Sequence, residues 1–266
     1  MSPKYLLVDR QDRIVVITLN RPEKRNAFLN DMVLELRDAI AEADRDSDVR
    51  VIVLTGAGSA FSSGADVDAF REAFEESQRV GHQVHAIDQE QLNQFGVAMR
   101  QITKPIIAAV NGPAVGLGFT LAIACDIRIA SERATLGAIF LRVGLTPEFG
   151  SSYNLTRLVG IAKACELVFT ARVVDAQEAL QIGLVNQVVP HDQLMPRVSE
   201  MAGAIASMPP VALRLAKGNL YSGMDANLLS QMHEELMANR ICRETKDYAE
   251  GIAAFLEKRP AVFTGR

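Results

Sequence analysis

The sequence predicts an α/β core followed by a helical C-terminal region, divided near residue 200 into 1–200 and 201–266. Three features lead there. Short β-branched apolar runs alternate with helical stretches through the first two-thirds of the chain. Turns rich in glycine and other small residues follow those runs. From about Ser151 onward the pattern is mainly helical.

The elements are read in order. Ile14 to Leu19 is a β-branched run closed by Asn20-Arg21-Pro22. Asn30 or Asp31 can cap a helix whose apolar face is Val33, Leu36, Ile40 and Ala43. Val51 to Leu54 is a strand broken by Gly56-Ala57-Gly58-Ser59. A polar helical stretch runs from about Asp68 to Arg100 and ends at Lys104-Pro105. Ile106 to Val110 is a buried strand, Asn111-Gly112-Pro113 a turn, and Gly118 to Ala124 a short buried helix. Ile127 to Ala130, Thr135 to Leu136 and Val185 to Val189 read as strands. Met208-Pro209-Pro210 marks a break. Helices are expected over Val211 to Tyr221, Asn227 to about Tyr248, and Gly251 to Lys258.

Composition narrows the function. The 266 residues suit one large domain, with or without a helical appendage. No apolar run approaches the roughly 20 residues of a membrane-spanning helix. Neither end carries a recognisable secretory or targeting signal, so a cytoplasmic location and no membrane partner are expected. Cys125, Cys165 and Cys242 are isolated, which disfavours a disulfide framework or a zinc site. A net charge of -4 disfavours nucleic acid as a partner.

Common site motifs are absent or incomplete. Gly56-Ala57-Gly58 follows a strand, but Phe61 stands where a dinucleotide fingerprint needs its third glycine. No G-K-[ST] triplet marks a P-loop, and no G-x-S-x-G frames Ser62 or Ser63. His82 and His85 share a face of the polar helix, but no third metal ligand accompanies them.

Two loops can carry chemistry: Phe61-Ser62-Ser63-Gly64-Ala65-Asp66, and Asn111-Gly112-Pro113-Ala114-Val115-Gly116-Leu117-Gly118. Each follows an apolar strand and leads toward a helix. Small residues let a ligand approach the backbone, and amides at a helix start are unpaired donors. Two such turns facing one point could bind a developing oxyanion, or be only tight connections.

These segments together resemble the crotonase superfamily, also called the enoyl-CoA hydratase/isomerase family. The resemblance covers nearly the whole chain. It runs from Leu19-Asn20-Arg21-Pro22 and Asn26-Ala27 through Ile52-Val53-Leu54-Thr55-Gly56 and the two loops. It continues through Cys125-Asp126-Ile127-Arg128-Ile129-Ala130 and Ala179 to Val185, and closes at Phe255-Leu256-Glu257-Lys258-Arg259. It implies a spiral of ββα units with a C-terminal helical trimerisation region, in a homotrimer or dimer of trimers. It implies an acyl-CoA thioester as substrate, with coenzyme A part of that substrate and no separate cofactor or metal. The amides of Ala65 and Leu117 match the pair that holds the thioester carbonyl. Lys24, Arg25 and Ala27 match the loop lining CoA, and Asp66, Val67 and Asp68 match residues that meet adenine largely through backbone. Lys24, Arg25 and Lys258 are phosphate partners by the same match.

The resemblance also bears on the reaction. The two water-activating glutamates of the hydratases correspond to Thr120 and Phe140, and Phe140 would make the site dry. Thr146-Pro147-Glu148-Phe149-Gly150-Ser151-Ser152-Tyr153 instead looks like a peroxisomal-type Δ3,Δ2-enoyl-CoA isomerase, in which one glutamate follows the proline. The expectation is therefore double-bond isomerisation with Glu148 as the single base. A hydratase or another acyl-CoA reaction is the alternative, and a non-catalytic CoA-binding protein is the alternative of another class.

Overall fold

The structure, a computed structural model, describes residues 3–266. Leu6–Gln11 (β1) and Ile14–Leu19 (β2) form a hairpin across Asp12 and Arg13. β1 is not legible in the sequence, because only Leu6 of its six residues is buried. Asn30–Arg45 (α1) buries the expected stripe, with Met32 added. Its cap position is Leu29, without a side-chain bond. Asn30 instead accepts from the Asp88 N–H at 3.0 Å.

Val51–Gly56 (β3) leads to the polar stretch, which is two helices rather than one: Val67–Val80 (α2) and Gln89–Gln101 (α3). Gly81 ends α2 at φ 75°, a left-handed conformation open to glycine without a Cβ penalty. Asp88 starts α3 by accepting from the Gln91 N–H. His82 and His85 thus lie in a connection, not on a helix face.

Ile106–Val110 (β4), Ala114–Val115 (β5), Leu117–Ala124 (α4), Ile127–Ser131 (β6) and Thr135–Gly137 (β7) follow. Ser151–Thr170 (α5) is interrupted at Gly160. Then come Val174–Asp175 (β8), Ala176–Gln181 (α6), Gln187–Val189 (β9) and Leu194–Ala206 (α7). Six strands form one sheet in the order β1-β2-β3-β4-β6-β9, parallel from β2 onward. A small second sheet holds β5, β7 and β8.

Alternate residues of the central strands serve opposite faces. Ile52, Leu54, Ile106 and Ala108 join the α1 stripe and α3 in one core. Val51, Val53, Ile107 and Ala109 pack with Leu194, Val198 and Ala202 of α7 in the other. Residue 200 therefore falls inside a helix that covers the sheet, and the chain leaves this layer at Ser207–Pro209 instead.

The rest is helical: Pro210–Ser222 (α8), Leu228–Arg243 (α9) and Lys246–Glu257 (α10). The helix expected to run from Asn227 to Tyr248 stops at Arg243, and Thr245 caps α10. The buried Lys217 of α8 donates to Asp126 Oδ2 at 2.7 Å and to the Lys104 carbonyl at 2.9 Å. Asp126 also accepts from the Ile106 N–H and Tyr221 O–H, which ties α8 to the sheet. Among the described residues no helix is long and apolar enough to cross a membrane.

Candidate active site

Because β2, β3 and β4 are parallel, the loops after Leu19, Gly56 and Val110 meet at one edge. Two buried asparagines fasten them. Asn26 Nδ2 donates to the carbonyls of Ala57 and Ala60 at 2.9 and 2.8 Å, while its Oδ1 accepts from the Arg21 N–H. Asn111 Nδ2 reaches the carbonyls of Gly56 and Gly58.

Pairing then aims the Ala65 amide. Phe28 donates to the Gly64 carbonyl at 2.7 Å and accepts from the Asp66 N–H at 2.9 Å. In a parallel ladder the residue bracketed in this way turns its own N–H to the other side. That side holds the second loop: Ser62 donates to the Pro113 carbonyl and accepts from the Val115 N–H. Leu117 is the first residue of α4, so its N–H has no partner within the helix. Neither the Ala65 nor the Leu117 N–H has an acceptor among the described residues. A Cβ on Gly64 would lie 3.5 Å from the Leu117 nitrogen and 2.9 Å from the Val115 oxygen, so the loops touch there. The Leu117 side chain packs into the core.

Ala65 and Glu148 line one cleft of about 550 Å³. Glu148 sits just before α5, where Phe149 and Gly150 are both left-handed at φ 58° and 70°. The Phe149 ring meets Phe95 of α3 edge-on at 5.1 Å, and a Cβ on Gly96 would stand only 3.4 Å from the Phe149 backbone. The Ser151 N–H donates to the Glu148 carbonyl at 3.0 Å. The loop is thus clamped against α3. Burial pushes the Glu148 carboxyl above its ordinary range, and the Gln89 carboxamide, which lines the same cleft, opposes the rise. Gln89 has no sequence signature; only the packing of α3 against this loop brings it here.

The other expected residues are more scattered. Asp66, 4% exposed, caps α2 through the Asp68 and Ala69 amides and pairs with Arg21 at 3.0 Å. Burial raises its pKa, but Arg21 and the two amides outweigh this and hold it below the usual range. Its side chain is committed to structure. Val67 is exposed, and Asp68 pairs with Lys24 at 2.8 Å, a contact that raises the lysine's pKa. Arg25 is exposed in a left-handed turn, and its carbonyl accepts from the Ser63 N–H. Ala27 is buried beside this loop. Phe140 belongs to the core and does not line the cleft with Glu148. Thr120 is fully buried and its hydroxyl donates to the Leu117 carbonyl at 3.0 Å. Lys258 ends α10, and the chain after it runs to Arg50, at the opposite ends of the strands. One protomer does not bring Lys258 to the cleft.

Residues 9–266 match the enoyl-CoA hydratase/isomerase family. The chain belongs to this family. It is 38% identical over 267 residues to a crotonyl-CoA hydratase of Syntrophomonas wolfei, spanning 100% of both chains. It is 38% identical over 264 residues to a short-chain-enoyl-CoA hydratase of Clostridium acetobutylicum, spanning 97% of each. The crystal structure of an enoyl-CoA hydratase from Bacillus anthracis superimposes with a TM-score of 0.92 at 35% identity, over 99% of this chain and 100% of that one. The architecture is accordingly the crotonase-like fold, and the chain is an acyl-CoA enzyme of the enoyl-CoA hydratase/isomerase type. The relatives bear hydratase names, which sets them apart from the isomerisation expected on Glu148.

Proposed function

We propose that this family member moves a double bond, converting 3-enoyl-CoA to 2-enoyl-CoA, with Glu148 as the single base. One observation carries the reading: Glu148 is the only carboxylate among the described residues lining the cleft. The Glu148 carboxylate takes a proton from C2, and the electron pair moves onto the thioester oxygen as an enolate. The amides of Ala65 and Leu117 hold that oxygen. Glu148 then returns the proton to C4, the carbonyl re-forms, and the double bond lies between C2 and C3. No water, separate cofactor or metal enters. Hydration would need water-activating groups, but the Thr120 hydroxyl is engaged by the Leu117 carbonyl and Phe140 is apolar. Lys24, Arg25, Val67 and Asp68 form the assigned rim for the CoA moiety, and Lys258 would have to serve another protomer of a homotrimer or dimer of trimers.

The names of the relatives favour hydration as the second reading. Ultraviolet absorbance separates the two. Isomerisation of 3-enoyl-CoA creates the conjugated enoyl thioester, whereas hydration of 2-enoyl-CoA destroys it. Fast loss without any gain would establish the hydratase, and neither change would establish a binding protein. Glu148→Gln keeps shape but cannot carry a proton at neutral pH. Its kcat should fall by about 10²–10⁴-fold while acyl-CoA affinity holds, because the oxyanion donors are backbone groups. A folded variant that turns over normally would remove Glu148 from the mechanism.

A further inference from the structure

Glu148 leads directly into a strained turn. Phe149 and Gly150 are both left-handed, at φ 58° and 70°, and a residue with a Cβ stays in that region only where its surroundings hold it. Phe95 and Gly96 of α3 hold Phe149 from one side. The first turn of α5 holds Gly150, whose carbonyl accepts from the Tyr153 N–H at 3.1 Å and the Asn154 N–H at 3.0 Å. The side chains of these same two residues converge on Arg100, near the end of α3. Its Nη2 donates to Tyr153 Oη at 2.9 Å, and its Nη1 lies 3.5 Å from Asn154 Oδ1.

The rest of the cluster fixes both partners. Tyr153 Oη donates to Asp225 Oδ2 at 2.6 Å, and the Arg157 guanidinium stands 3.4 Å from the Tyr153 ring centroid. Arg100 itself stacks 4.1 Å from the Tyr221 ring centroid of α8. The hydrogen-bond partners of its guanidinium among the described residues, Tyr153, Asn154 and Met224, are all uncharged. The guanidinium therefore supplies direction here, through a planar fork that spans two acceptors, rather than neutralising a carboxylate.

We propose that Arg100 is a positioning residue for the Glu148 base: its fork fixes the first turn of α5 and, through the Gly150 carbonyl, the turn that aims the carboxylate. The proposal rests on the reading of Glu148 as the base. Arg100 is not among the residues that line the cleft, so it acts through Glu148 and not on the substrate. Displacing a catalytic group by about 1 Å can cost on the order of 10²-fold in rate.

Steady-state kinetics of 3-enoyl-CoA isomerisation test it. In Arg100→Met, kcat should fall roughly 10- to 100-fold while KM stays close to wild type. Tyr153→Phe keeps the ring but removes the accepting oxygen, so kcat should fall several-fold. The double variant should be no slower than Arg100→Met alone, because both changes break one linkage. Arg100→Lys keeps the charge but has no fork, and should recover little of the rate. Tyr221→Leu removes the stack on α8 and leaves the α5 contacts, so it should lose stability and keep its kcat. A folded Arg100→Met protein with wild-type kcat overturns the positioning role. So does full activity in Arg100→Lys, or an equal loss of kcat in Tyr221→Leu, which would make Arg100 only a bolt between helices. If Arg100→Met does not fold, Arg100→Lys and Tyr153→Phe decide: wild-type kcat in both overturns the role. A slow Glu148→Gln beside an unaffected Arg100→Met sinks this inference alone. A Glu148→Gln protein that turns over normally sinks the base assignment, and this inference with it.

Discussion

At the scale of single residues, Glu148 shows how one environment sets both reactivity and pH dependence. Removing its carboxyl from water disfavours the charged form, so its pKa lies above the ~4.3 of a free glutamate. A base works only when ionised. The rate should therefore rise with pH through an apparent pKa above that value. Gln89 opposes the shift, because a donor to the carboxylate favours its charged form. In Gln89→Leu the acid limb of kcat should move to higher pH while KM stays close to wild type. A superimposable pH profile would show that the carboxamide does not act on the base. The same shift affects stability with a definite sign. Between the unfolded and folded pKa values the folded state holds a proton the unfolded state has lost, so Glu148 favours folding less as pH rises through that window. Asp66 has the opposite sign: its lowered pKa supports folding above the unfolded value and loses that support in acid.

At the scale of elements, α4 is held where its first amide can act by contact with the neighbouring loop. A Cβ on Gly118 would lie 2.5 Å from the Ser62 carbonyl oxygen and 2.7 Å from the Ser62 Cβ. Two effects compete in Gly118→Ala. Helix propensity alone favours alanine by about 1 kcal/mol. Overpacking a tight site costs about 1–3 kcal/mol, and here the opposing atoms include rigid backbone. Packing should win, giving a net loss in chemical denaturation and a large loss of kcat as α4 and the Leu117 amide move. A stabilised Gly118→Ala protein with wild-type turnover would refute the close approach. The two-helix form of residues 67–101 matters equally. Gly81 and Asp88 are an ordinary helix stop and start. They let α2 wall the cleft while α3 backs the Glu148 loop.

At the scale of the whole molecule, the C-terminal helices leave much apolar surface uncovered in one protomer. Leu228, Leu229 and Leu256 are highly exposed, and Phe255 is 82% exposed. Large exposed apolar side chains on these helices suit an interaction surface. We assign it to other copies of this chain, in a trimer or a pair of trimers, and light scattering at micromolar concentration should return such a mass. A monomer would count against the assignment. Lys258 is not among the residues lining the cleft of its own protomer.

The alternation of strands and helices, the stripe of α1, the buried strands β3 and β4, and the small-residue loops around Ala65 and Leu117 are all legible in the sequence. Each is written in local periodicity or turn chemistry, which follow from residue type and spacing. Motif order also carried the family. The hairpin strand β1 was illegible because an exposed edge strand needs no apolar pattern. The long polar stretch is two helices, divided by the stop at Gly81 and the fresh cap at Asp88. The pairing of Asp66 with Arg21, the place of Phe140 in the core, and the presence of Gln89 and Glu148 in one cleft emerge only on folding. Those outcomes depend on contacts between segments far apart in the chain. Burial, and with it the reactivity of a carboxylate, is a property of the neighbours that folding assembles.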